Sequence, residues 1–378
     1  MSLTTAQVLQ RFLPAYRHTH KLTPQQAKVT NLLCACHTQA LGGYTLRCDD
    51  CGHCKDYFHS CRNRHCPQCQ RQASEHWLLQ RQQDLLPVPY FHVVFTLPHT
   101  LNGWVQLHPE VLYRLFFQAV SSTLKTFGRD PKRLNGELGW TSVLHTWGQN
   151  LNQHVHTHCL IPGGAFNTDT QVWREARSTY LFPVKALSRR VRGVLVSSLR
   201  KAYDRGELSR IEDHAEVDRV LNTLMHLPWG VFSKPTYGHT DTVLGYLAQY
   251  TYRIAISDRR LLTMDENSVS FKYKDYADDY RQKVMALQGT EFVRRFLLHV
   301  LPQGFMRIRH YGFMVNCQRR RKLAQIRQSL STAATSVSRP PRTCPESAVA
   351  VKAVLPTSCP RCHCTHIRII TREKIRKR

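Results

Sequence analysis

Apolar positions along this 378-residue chain recur in two rhythms. Short runs rich in β-branched and aromatic residues occupy residues 91–97, 155–161 and 269–273 and predict strands. Longer stretches, in which apolar residues return every three or four positions, occupy residues 110–127, 185–203 and 291–300 and predict helices. Strands separated by long helical stretches imply an α+β or α/β middle domain. No run reaches the roughly 18 apolar residues of a membrane helix, and residues 1–22 lack the apolar core of a secretory signal. The expectation is therefore a cytoplasmic protein without a membrane partner.

Composition alters this picture in two ways. The 53 Lys+Arg against 26 Asp+Glu leave a formal net charge of +27, which favours a polyanionic partner, nucleic acid above all. The 14 cysteines are clustered, eight between Cys34 and Cys69 and three between Cys359 and Cys364. In a reducing compartment such clusters read as metal sites rather than disulfides. Residues 319–378 carry 15 Lys+Arg and two acids, with a Ser/Thr/Pro-rich run over 329–345 that reads as a linker. The chain is thus expected to divide into a small metal module over 1–85, a middle domain over 86–318, and a basic linker with a C-terminal cysteine knuckle over 319–378.

In the first part, Cys48-x2-Cys51 and Cys66-x2-Cys69 are separated by 14 residues, a spacing that closes a tetrahedral thiolate site around Zn²⁺. Four thiolates leave no open coordination position, so this zinc is expected to be structural. Cys36, Cys54, Cys61, His53, His59 and His65 remain as candidates for a second site, with Cys36, Cys61 and His65 foremost. Arg62, Arg64 and Arg71 on this module, and Arg319, Arg320, Arg321 and Lys322 at the start of the tail, are the candidate DNA-binding residues.

Two further motifs carry chemistry. If residues 154–161 form a strand, its two-residue period puts His154, His156 and His158 on one face, about 7 Å between alternate side chains. Three imidazoles on one face suit a divalent ion. A zinc-hydrolase H-x-H-x-D-H pattern would need an acid where His158 stands. Tyr246 and Tyr250 are i and i+4, so on a helix they share a face, with Tyr252 off it. By spacing alone the pair reads as an aromatic stripe facing the core. Beside a histidine-held ion in a basic chain, it reads as two nucleophiles. A phenol of pKa about 10 is neutral at pH 7, and an ion on the scissile phosphate would assist its attack.

With these residues in hand, the sequence resembles the two-tyrosine rolling-circle insertion-sequence transposases of the HUH endonuclease superfamily. The resemblance extends over nearly the whole chain. It rests on Leu41-Gly42-Gly43-Tyr44 leading into Cys48 and Cys51, the run from Ser60 to Cys69, Phe91 to Pro98, the histidine strand ending Pro162-Gly163-Gly164, residues 246–260, and Phe296 to Pro302. It implies an α+β fold in which an antiparallel-sheet nuclease domain with helices follows a zinc-binding module. It also implies Tyr246 and Tyr250 as the catalytic residues and His156-Thr157-His158 as the HUH triplet. Thr157 stands where the family usually has a hydrophobic residue, so His154 stays among the ion ligands. The ion implied is Mg²⁺ or Mn²⁺, and the third protein ligand is left open among Gln149, Asn150, Asn152 and Gln249.

The expected function is cleavage and rejoining of single-stranded DNA at insertion-sequence ends and targets, through 5′-phosphotyrosine linkages, in the bacterial cytoplasm at the nucleoid. The alternative is a non-enzymatic zinc-ribbon regulator that binds nucleic acid, which would need neither the histidine strand nor the tyrosine pair.

Overall fold

A computed structural model describes residues 3–177, 180–236, 245, 250–334 and 357–372. Among them the chain begins α1 (Thr5–Thr19), α2 (Pro24–Cys34), β1 (Gly43–Cys48), β2 (Cys54–Phe58), α3 (Pro67–Arg81) and β3 (Tyr90–Thr96). It continues α4 (Asn102–Leu107), α5 (Pro109–Arg129), β4 (Gly139–Trp147), β5 (Gln153–Pro162), β6 (Gly164–Asn167), β7 (Val172–Glu175), α6 (Val184–Asp204), α7 (His214–His226) and β8 (Val231–Thr236). It ends β9 (Leu261–Met264), β10 (Ser268–Asp275), β11 (Arg281–Gln288), α8 (Gly289–Leu298), β12 (Ile308–Gly312), α9 (Arg319–Ala334) and β13 (Ile367–Arg372). The fold is α+β, with the strand pairs antiparallel. All six elements expected from the hydrophobic pattern are present, each within a few residues of its expected ends.

Two compact units are each discontinuous in sequence. One, the cysteine unit, comprises Met1–His76, Ile256–Val300 and Pro340–Arg378; the other, the histidine unit, comprises Trp77–Ala255 and Leu301–Arg339. The division read from the sequence was contiguous, whereas here distant segments return to the same unit.

In the cysteine unit, α1 starts at a capping box in which Thr4 and Gln7 satisfy each other's backbone amides. Its buried stripe, Val8, Leu9, Phe12, Leu13 and Tyr16, belongs to the helix that packs with α8. Gly289 opens α8 where a Cβ would lie 2.0 Å from the ring of Phe12, so only glycine admits this approach. The sheet β11-β10-β9 precedes α8, and a second sheet has the order β13-β1-β2. The last strand of the described chain thus pairs with β1, Cys48 opposite Ile367 and Arg47 opposite Arg368, with a bulge between Thr45 and Leu46.

In the histidine unit, a five-stranded sheet has the order β12-β4-β5-β3-β8. Alternation decides what each face does. Phe91, Val93 and Phe95 of β3 and Val155, Cys159 and Ile161 of β5 enter one core with Leu112, Phe116 and Leu124 of α5 and Leu187, Val191 and Leu195 of α6. The intervening residues, His92 on β3 and His154, His156 and His158 on β5, therefore point to the opposite face.

The tail reading needs correction at its start. Residues 319–334 are helical, because Leu323 and Ile326 recur at helical spacing and are buried with Phe166, Trp173 and Phe313. Residues 335–356 lie outside the described residues.

Candidate functional site

The β4–β5 pairing builds the histidine cluster. His145 lies directly opposite His156, and Val143 opposite His158, so His145 shares their face. One ring nitrogen from each of His145, His156 and His158 lies within 4.8 Å of the others. His154, expected as a ligand, is not among them. Its Nδ1 is 2.9 Å from Nε2 of His99, and it contributes its carbonyl to Nδ1 of His156 at 2.8 Å. It lies at the end of the row, beyond the reach of His145 across the strands. Thr157 points into the core and is fully buried, as its odd position in the alternation requires.

The hydrogen bonds also assign the nitrogens. His145 donates from Nε2 to the carbonyl of Tyr250 (2.7 Å), and His156 donates from Nδ1 to the carbonyl of His154, leaving one lone pair on each ring. Nδ1 of His158 lies 2.7 Å from Nε2 of His92. Burial holds His145 and His158 well below the ordinary histidine range and pushes His156 down to about 3, with His154 nearby adding to the effect. His92 is likewise pushed down to about 4 by burial. All four are neutral imidazoles at pH 7, the form in which histidine binds metal. Three such donors fit a divalent ion and leave coordination positions open, although imidazole favours later metals than Mg²⁺.

Tyr250 stands against this cluster. Its ring centroid is 4.3 Å from that of His158 and 4.9 Å from that of His92. Tyr250 and Thr251 are helical, as expected; Tyr246 and the candidate ligand Gln249 lie outside the described residues. The end of this helix is tied down. Arg307, buried just ahead of β12, donates through Nη1 to the carbonyl of Arg253 (3.1 Å) and through Nη2 to that of Thr251 (2.9 Å). With His145 on the Tyr250 carbonyl, positively charged and neutral donors meet carbonyls that a helix terminus leaves without intrahelical partners.

The sequence reading missed three of these residues. His145 is made visible by strand register rather than by spacing. His92 interrupts an apolar strand at an outward position, a signal available in alternation. Arg307 gave no local signal. Of the other polar candidates for a third ligand, Asn150 accepts through its side chain from the amide of Asn152.

The cysteines form two clusters, and neither is the set of Cys48, Cys51, Cys66 and Cys69 read from the spacing. Cys36, Cys61, Cys66 and Cys69 converge, and Cys48 and Cys51 converge with Cys359 and Cys362. The pair Cys48/Cys51 is therefore not brought together with Cys66/Cys69. The reason is the β1–β2 hairpin. Cys48 and Cys51 lie at its turn, where Gly52 has φ +70°. Cys36 and Cys61 flank its open end, and five steps of β1 separate the ends by roughly 17 Å. In the first cluster the Cys36–Cys69, Cys61–Cys69 and Cys36–Cys66 sulfurs are 3.7, 3.6 and 3.7 Å apart. Four thiolates at about 2.3 Å from a tetrahedral zinc would be about 3.8 Å apart, so the donor set fits. The backbone amide of Cys61 donates to Sγ of Cys36 (3.4 Å), and hydrogen bonds from Cys61 and Cys66 hold the Cys36 thiol down to about 7. His65 is not in this cluster, and Cys54 is exposed with its thiol on the carbonyl of Gly52. His53 and His59 are not in it either.

Of the candidate DNA-binding residues, Arg62 and Arg71 are exposed and Arg64 is half-buried. Arg320 and Arg321 are exposed, but Arg319 pairs with Asp84 (3.2 Å) and Lys322 is buried beside Glu137 (3.3 Å), so these two serve the packing of α9. No helix among the described residues is long and apolar enough to cross a membrane.

A family model described as "Transposase zinc-binding domain" matches residues 8–97, and one described as "Putative transposase" matches residues 139–322. The chain is 42% identical over 367 residues to "Putative transposase y4qJ" of Sinorhizobium fredii (strain NBRC 101917 / NGR234), covering 95% of this chain and 92% of that protein. It is 30% identical over 298 residues to "Transposase for insertion sequence element IS801" of Pseudomonas savastanoi pv. phaseolicola, covering 76% and 70%. No solved structure matches it. A chain that carries a zinc-binding domain ahead of a histidine-bearing sheet, and is alike to these two relatives through most of their length, belongs to the family of IS91/IS801-type insertion-sequence transposases.

Proposed function

We propose that this transposase cuts and rejoins single-stranded DNA with tyrosine nucleophiles, moving an insertion sequence by a rolling-circle or related single-stranded route. The observation that carries the reading is Tyr250, whose ring lies 4.3 Å from His158 at the edge of a cluster of three neutral imidazoles. His145, His156 and His158 would hold Mg²⁺ or Mn²⁺, which when bound withdraws charge from a phosphate oxygen. The chain's own part is positional. His145 and Arg307 would hold the backbone carbonyls of Tyr250 and Thr251 so that the Tyr250 ring stays against His158 and His92. Attack of the phenolic oxygen on phosphorus breaks the bond to the 3′ oxygen, giving a 5′-phosphotyrosine and a free 3′ hydroxyl. Reversal by another 3′ hydroxyl rejoins the strand without an external energy source. A second tyrosine, Tyr246 on the family pattern, would serve the second cleavage. Exposed Arg62, Arg71, Arg320 and Arg321 would contact DNA phosphates.

The test is incubation with labelled single-stranded DNA of the element's ends and Mn²⁺, followed by denaturing electrophoresis and mapping of the adduct. A detergent-stable adduct on Tyr250 or Tyr246, lost in Tyr246→Phe/Tyr250→Phe, is expected. Cleavage by that double variant at the native rate would refute the tyrosine assignment, and DNA binding with no cleavage under any divalent ion would return the chain to the zinc-ribbon regulator reading.

A further inference from the structure

We infer that the C-terminal knuckle completes a second structural metal site, in which Cys48 and Cys51 from the β1–β2 turn and Cys359 and Cys362 from the tail bind one thiophilic divalent ion such as zinc. This is independent of the strand-transfer chemistry, and the matched zinc-binding domain, residues 8–97, ends long before the two tail donors.

Three observations carry it. The first is geometry: Cys48–Cys362 and Cys51–Cys359 sulfurs lie 3.6 and 3.7 Å apart, close to the edge of about 3.8 Å set by tetrahedral zinc–sulfur bonds. The second is the local backbone. The amide of Cys51 donates to Sγ of Cys48 (3.3 Å) and the amide of Arg361 to Sγ of Cys359 (3.4 Å), so each knuckle offers its first sulfur a donor that favours the thiolate. The third is that the tail is aligned by other means: β13 pairs with β1, Asp49 donates its amide to the carbonyl of His366 (2.9 Å), and Arg368 pairs with Asp49 (2.8 Å). These contacts bring Cys359 and Cys362 to the turn, Cys359 lying 308 positions beyond Cys51. A fifth thiol, Cys364, lies 3.2 Å from Cys48 and 3.4 Å from Cys362 but falls outside the converging set of four. It flanks one edge of the tetrahedron and is not a ligand.

Metal content of the purified full-length protein, measured by atomic emission, tests this directly. Two thiolate-held zinc ions per chain, counted apart from Mg²⁺ or Mn²⁺ at the histidines by using the His156→Ala background, are expected with all cysteines present, one in Cys359→Ser or Cys362→Ser, and two in Cys364→Ser. One such ion with all cysteines present, or two in both tail-ligand variants, would overturn the site; loss of an ion in Cys364→Ser would overturn the donor set. Because a ligand variant can misfold, the wild type gives a second readout. Cys362, Cys54 and Cys317 are all exposed. Before chelation, Cys362 should be alkylated at least about tenfold more slowly than Cys54 and Cys317, and a strong chelator should abolish the difference. Equal rates before chelation would refute the metal.

Discussion

The cysteine and histidine clusters solve opposite problems. The thiolates of Cys36, Cys61, Cys66 and Cys69 come from loops and a helix start around a small hairpin, and when they converge they use every position of a tetrahedral ion. The imidazoles of His145, His156 and His158 come from two strands in register, above a sheet whose other face is already packed on α5 and α6. In the first case the ion organises the fold. In the second, on the function proposed above, the fold would organise the ion and leave positions open for substrate. Donor softness, donor number and the amount of apolar core behind the donors all differ in the same direction.

The comparison can be broken most decisively at the cysteines. Cys66→Ser should release the first ion and unfold the cysteine unit, since structural zinc sites contribute about 10–16 kcal/mol of apparent binding energy to folding. Retained zinc together with an unchanged melting transition would erase the contrast. At the histidines, the effect should fall on chemistry alone. His145→Ala, His156→Ala and His158→Ala are each expected to slow single-strand cleavage at least about a hundredfold, a typical cost of losing one electrostatic contact to the reacting phosphate. Their single-stranded DNA affinity should stay within about twofold, because binding rests on phosphate contacts elsewhere. His154→Ala should cleave at close to the native rate, and equal loss in that variant would restore the ligand set read from spacing.

A smaller effect sharpens how Tyr250 is held. Arg307→Lys keeps the charge but not the two-pronged grip on the Thr251 and Arg253 carbonyls, and should lower cleavage by about tenfold to a hundredfold through misplacement of the phenol. The expected signature is a fall in the maximal rate with unchanged DNA affinity, which general unfolding would not give. The smallest effect concerns pH. Burial, with Arg81 and Arg319 nearby, pushes His310 down from 6.5 to about 4. The unfolded chain therefore takes up a proton that the folded one refuses, and stability is lost as pH falls from about 6.5 toward 4, with none lost above that window. In a thermal melt, His310→Gln should flatten this decline by roughly 2–4 °C. An identical decline in the variant would remove His310 as its source.

What could be read in advance follows the same contrast. His156 and His158 were legible because alternation along one strand is local, and the core-facing Thr157 between them obeys the same rule. His145 was not, since its place depends on which residue of β4 faces His156 across a turn of unknown length. Cysteine spacing announced metal correctly but not the partners. The pattern of Cys48, Cys51, Cys66 and Cys69 fits one site on paper, and only the length of the hairpin between the knuckles separates them. The basic run at Arg319 illustrates the opposite error, where charge composition drew attention away from Leu323 and Ile326, whose helical spacing determines its structure.

The sharing of one sulfur cluster by residues 308 positions apart has a consequence for the order of synthesis. A ribosome adding about 5–20 residues per second takes roughly 15–60 s to travel from Cys51 to Cys359. The four cysteines of the first cluster span 33 positions and are all available early in that interval. They can capture an ion and withdraw from exchange while Cys48 and Cys51 wait with half a donor set. Vectorial synthesis thereby sets the first four thiols apart from Cys48 and Cys51 before the last pair emerges, an order that refolding of the complete chain from denaturant does not impose.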